Sequence, residues 1–75
     1  MVEQTVIALA RRQYEVARLA SQGYSNKEIA QSLGVSVHTV RNTMRVVFEK
    51  VQVCNRVALA NAFAGQRVVC NGDGR

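Results

Sequence analysis

Apolar residues recur at steps of three and four through the middle of the chain, and two short polar interruptions divide that pattern into separate helices. Ile29, Ala30 and Leu33 form one stripe; Val37, Val40, Met44, Val47, Phe48 and Val51 form the next. Ser25 followed three residues later by Glu28 is a capping box, in which the serine oxygen accepts from a first-turn amide and the glutamate reaches back to the cap's own amide. A helix is therefore predicted from Asn26, and Gly34, able to take a positive φ, marks its end. Ser36 is a second N-cap, so only Gly34 and Val35 separate the two helices. So short a link between two amphipathic helices is the sequence form of a helix-turn-helix.

The flanking segments also read as helices. The first runs from about Arg11 to Gln22, buries Val16, Leu19 and Ala20, and ends at Gly23. The last is capped by Asn55 and continues to about Ala64, with Leu59 and Phe63 one turn apart and Gly65 as its stop. No alternating apolar run with turn pairs argues for a sheet, so the predicted class is all-α: a four-helix bundle with a helix-turn-helix and no wing. Residues 1–8 form a lead-in from which Val6 and Ile7, with Leu9 just beyond, pack on the bundle; residues 9–66 form the domain. Residues 67–75 are read as a mobile tail, with nothing to bury after Val69.

The polar side of the third helix carries His38, Thr39, Arg41, Asn42, Arg45 and Glu49. Arginine can donate twice to O6 and N7 of guanine and asparagine can pair with N6 and N7 of adenine, so Arg41, Asn42 and Arg45 are the candidate base-contacting residues. Two arginines on a helix face are by themselves only solvated charge. Their place in the second helix of a capped pair is what favours base contact. Lys27, Thr39, Lys50 and Arg56 suit DNA phosphates, and Ser25, Asn26, Ser36 and His38 at the helix starts complete the backbone-contacting set.

From Leu9 to about Ala60 the chain resembles the LuxR/GerE-type helix-turn-helix domain of bacterial transcriptional regulators. The matching residues are Glu15-Val16, Leu19-Ala20, Gly23, the block Ser25-Asn26-Lys27-Glu28-Ile29-Ala30, Leu33, Val35-Ser36, Thr39-Val40-Arg41, Lys50, Val53 and Asn55-Arg56. The resemblance covers about two thirds of the chain and implies a four-helix bundle whose third helix enters the major groove and whose fourth forms a homodimer interface. Three features depart from the family pattern. Ala10-Arg11-Arg12-Gln13 stands where the family has Thr-x-Arg-Glu, removing a cap oxygen worth about 1 kcal/mol. Thr43 replaces the family histidine, and Val57-Ala58-Leu59-Ala60 replaces Thr-x-Ala-Val.

Charge agrees with a polyanionic partner: ten Lys and Arg against five Asp and Glu give a formal net charge of +5. A membrane surface is the weaker alternative, because the apolar faces are needed by the bundle and no segment approaches the ~20 continuous apolar residues of a span. Met1 to Ala10 contains Glu3 and lacks the form of a signal peptide, so the expected location is the cytoplasm, on the chromosome. Cys54 and Cys70 are expected to be reduced there, and with His38 they provide no metal-ligand spacing. No phosphate loop or carboxylate pair suggests an enzyme or a cofactor.

A 75-residue domain is only marginally stable, and oligomerisation is a common supplement. Leu59, Ala62 and Phe63 are the candidate homodimer contacts on the fourth helix; the alternative is that Leu59 and Phe63 finish the protein's own core. Partners are thus double-stranded DNA, a second copy and, as a further candidate, RNA polymerase. Two other functions stay open: a helical protein-interaction module without DNA binding, and a sigma-factor-like promoter reader. No sensor fits beside the domain in this length, so it is read as either a stand-alone regulator or one domain of a longer protein.

Overall fold

The computed structural model describes residues 6–70. Four helices follow one another, α1 (Arg11–Ser21), α2 (Asn26–Leu33), α3 (Val37–Val51) and α4 (Arg56–Ala64), with a short strand at each end, β1 (Ile7–Leu9) and β2 (Val68–Cys70).

Local chemistry sets the helix starts. Ser25 Oγ accepts from the Glu28 amide at 3.1 Å while the Ser25 amide donates to Glu28 Oε1 at 2.9 Å, so the capping box is closed on both sides. Ser36 Oγ accepts from the Thr39 amide at 3.0 Å, and Asn55 Oδ1 from that of Ala58 at 2.8 Å. Ahead of α1 the Ala10 amide donates to Gln13 Oε1 at 3.1 Å. That bond supplies the half of a capping box that needs no cap oxygen, and α1 starts at Arg11 despite the missing threonine.

The helix ends follow the sequence less closely. Gly34 takes φ +71° after α2, and the Val35 amide closes the turn on the Ala30 carbonyl at 3.0 Å. After α4, however, Gly65 keeps φ −83° and Gln66 adopts φ 57°. Gln52 likewise ends α3 at φ 63°, a conformation that costs a non-glycine residue about 1 kcal/mol and that no sequence signal announced.

Helix α1 packs against α3 and α4, and α2 packs against α3. The core takes Val16, Ala17 and Ala20 from α1, Ile29 and Ala30 from α2, Val40, Met44, Val47 and Val51 from α3, and Leu59 and Ala62 from α4. Leu19, expected in the core, is half-buried, and Ala17 occupies the enclosed position on that helix.

Two expectations are corrected by the structure. The first is the absence of a sheet: β1 and β2 pair in parallel, with Ile7 opposite Val68 and Leu9 opposite Cys70. Leu9 and Val68 are both buried, so the segment after Arg67 contributes to the core. Strands of three residues are too short to show a two-residue period, and the bundle brings their distant sequence positions together. Residues 1–5 of the lead-in and 71–75 of the tail lie outside the described residues.

The second concerns the candidate dimer residues. Leu59 is 0% exposed and Ala62 2%, because α1 runs alongside α4 and covers them. Phe63 is half-buried, its ring 5.5 Å from that of Tyr14 and tilted by 47°. Leu59 and Ala62 complete the protein's own bundle, and Phe63 packs partly against it. The outward stripe of α4 is instead Val57, Ala60, Asn61 and Ala64, spaced three and four apart, with Val57 71% exposed.

Candidate nucleic-acid interface

Helix α3 is fixed along its length by the inner stripe Val40, Met44, Val47 and Val51. Its outer side carries His38, Thr39, Arg41, Asn42, Arg45 and Glu49, all exposed. The Ser36 cap and the two-residue link from α2 hold the first turn, where Ser36 Oγ also donates to Thr39 Oγ1 at 3.0 Å. Thr43 donates to the Thr39 carbonyl at 2.8 Å, so its hydroxyl is tied back onto the helix.

The three candidate readers therefore share one exposed face. Among the described residues, neither Arg41 nor Arg45 has a carboxylate within 4 Å or a hydrogen bond to the protein. The ion pairs among the described residues lie on α1, where Glu15 meets Arg11 at 3.5 Å and Arg12 at 3.9 Å. Positive charge is thus partly neutralised on α1 and left available on α3. Asn42 Nδ2 lies 3.1 Å from His38 Nε2, one turn earlier on the same face.

The candidate phosphate ligands divide into two groups. Lys27, on the first turn of α2, is exposed and makes no hydrogen bond among the described residues. Arg56 is half-buried: it donates to the Tyr24 carbonyl at 2.6 Å and to Asn26 Oδ1, joining the start of α4 to the turn before α2. Lys50 donates to Gln13 Oε1 at 3.1 Å, joining α3 to α1. The Ser25 and Ser36 hydroxyls serve as caps. Asn26, Arg56 and Lys50 therefore fasten helices together in the isolated domain. The chain carries no local sign of these bonds, because their partners are far apart in sequence.

An open groove of about 640 Å³ runs beside the two arginines, lined by Arg41, Met44, Arg45 and Phe48 of α3, Arg56 and Val57 of α4, and Asn26 and Asn55. Among the described residues no group of three His, Cys, Asp or Glu could hold a metal ion, and no helix is long and apolar enough to cross a membrane. Cys54 and Cys70 are free and exposed.

The family model for bacterial regulatory proteins of the luxR family (GerE) matches residues 8–63. The chain is similar to the transcriptional regulatory protein DesR of Bacillus subtilis (strain 168), 43% identical over 49 residues that make up 65% of this chain and 25% of that protein. It is 39% identical over 59 residues to the nitrate/nitrite response regulator protein NarP of Escherichia coli (strain K12), covering 79% of this chain and 27% of that one. The HTH-type transcriptional regulator MalT of Vibrio campbellii is 35% identical over 48 residues, 64% of this chain and 5% of MalT. The chain thus spans about a quarter of the length of DesR and NarP, and far less of MalT.

Proposed function

Because this chain belongs to the LuxR family of bacterial regulatory proteins, whose members are regulators of transcription and not enzymes, we propose that it binds double-stranded DNA sequence-specifically with α3 in the major groove. The observation that carries this reading is the pair of guanidinium groups of Arg41 and Arg45, without a partner among the described residues and one turn apart on the exposed face of the second helix of a capped helix pair. Arg41, Asn42 and Arg45 contact base edges. Lys27, Thr39 and the helix starts at Ser25 and Ser36 contact phosphates, where backbone amides add to the attraction for an anion.

Two copies read a two-half-site operator in the cytoplasm, meeting through the outward stripe of α4 at Val57, Ala60, Asn61 and Ala64. Small side chains there let two backbones approach closely, and Val57 supplies exposed apolar surface.

Salt dependence separates phosphate ligands from internal fasteners. Removing one cation that neutralises a phosphate reduces the slope of log affinity against log salt by about one unit. Lys27→Ala is expected to show that reduction with unchanged unfolding. Lys50→Ala and Arg56→Ala are expected to lower the unfolding midpoint and to keep the wild-type slope. Affinity titrations over a range of salt concentrations, paired with urea unfolding, check this; an unaltered slope in Lys27→Ala removes it from the backbone set. The reading as a whole is tested by selecting binding sites from random duplex DNA with the 75-residue chain. Recovery of no motif above background overturns it.

A further inference from the structure

Among the described residues, the outer face of α3 carries one hydrogen-bonded pair of side chains projecting beyond the capped first turn: His38 Nε2 and Asn42 Nδ2, 3.1 Å apart. We propose that His38 is a specificity-determining positioning residue, which locks the Asn42 amide in the orientation that reads adenine. The inference rests on the reading of α3 as the major-groove helix.

An asparagine amide is nearly symmetric in shape, and turning it by half a revolution exchanges its acceptor oxygen for its donor nitrogen. On a solvated helix face both orientations are accessible, and they present different chemistry to a base. His38 removes the choice when its ring hydrogen is on Nδ1. With its ring hydrogen on Nδ1, the imidazole offers Nε2 as an acceptor, which attracts Nδ2 and repels Oδ1. Asn42 Nδ2 carries two hydrogens, and only the one pointing away from Oδ1 is directed to His38. The other hydrogen and Oδ1 lie side by side on the free edge of the amide. That edge matches adenine, whose N7 accepts and whose N6 donates. In the opposite orientation the acceptor and the donor on that edge exchange places, and the edge no longer matches the N7 and N6 of adenine in the same pose.

The positions of the two residues make the lock effective. His38 sits in the first turn of α3, held by the bond from the Thr39 amide to Ser36 Oγ, and Asn42 follows at the four-residue spacing that brings two side chains together. His38 therefore acts through Asn42, whereas a histidine at a helix start reads from sequence as a ligand of the DNA backbone.

The test is binding-site selection with the 75-residue chain as wild type and as Asn42→Ala, His38→Leu and His38→Gln, with thermal unfolding measured for each. Asn42→Ala locates the base pair concerned by erasing its adenine preference. His38→Leu is expected to reduce the preference for adenine about tenfold at that pair alone. His38→Gln, whose Oε1 can accept from Asn42 Nδ2 at the same spacing, is expected to keep the preference within about twofold. The inference is overturned if His38→Leu keeps the adenine preference, or weakens all sequences alike as removal of a phosphate ligand would. It is overturned equally if glutamine behaves as leucine, or if Asn42→Ala leaves every position unchanged. The major-groove reading itself falls if the wild-type chain selects no motif or if Arg41→Ala and Arg45→Ala also return the wild-type motif.

Discussion

Replacing Arg41 or Arg45 with alanine is expected to weaken binding to the selected operator by ~1–3 kcal/mol and to relax the preference at one base pair of each half-site. Both guanidinium groups stand on the exposed face of α3 without a carboxylate partner among the described residues, so neither must break an internal ion pair to reach a base. An arginine that only attracts phosphate would behave differently, because its loss weakens all sequences alike. Lysine substitutions sharpen the distinction. Arg41→Lys and Arg45→Lys keep the charge but lose the planar fork that donates twice to guanine, and are expected to retain non-specific affinity while losing the preference. Competition between operator and random duplex measures the two effects separately. A motif unchanged in both alanine variants contradicts the assignment.

The second large effect belongs to α4. Leu59→Ala is expected to cost ~2–5 kcal/mol of folding stability, since it removes a fully buried side chain and leaves a cavity between α4 and α1. That is a large share of the ~5–15 kcal/mol that holds an ordinary domain together, so the variant should be substantially unfolded at moderate temperature. Val57→Glu lies on the opposite side of the same helix, 71% exposed, and is expected to leave the unfolding free energy within about 0.5 kcal/mol of wild type. Its effect should appear in assembly: in sedimentation with a two-half-site operator, two copies bind wild-type DNA cooperatively and Val57→Glu copies bind independently. A Val57→Glu protein that keeps wild-type cooperativity removes this stripe from the interface. A Leu59→Ala protein as stable as wild type contradicts the packing of α4 on α1.

What the sequence determined alone is whatever depends on neighbours in the chain. The starts of α2, α3 and α4 were legible because Ser25 with Glu28, Ser36 with Thr39, and Asn55 with Ala58 are joined within a single turn. The outer face of α3 was legible because its inner face has a regular apolar period, leaving Arg41, Asn42 and Arg45 on the other side. The orientation of α4 was not. Val57, Ala58, Leu59, Ala60, Ala62 and Phe63 make it apolar nearly all round, so periodicity gave no preferred side, and only docking against α1 decided that Leu59 and Ala62 face inward while Val57 faces out. The parallel pairing of Ile7–Leu9 with Val68–Cys70 also had no local signature, since each strand is three residues long and becomes a strand only beside the other. For the same reason Arg56 and Lys50 read as free cations in the chain. Their partners, Tyr24 and Asn26 for one and Gln13 for the other, come within reach only once the helices have packed, because a long side chain bonds to whatever the fold places at its tip.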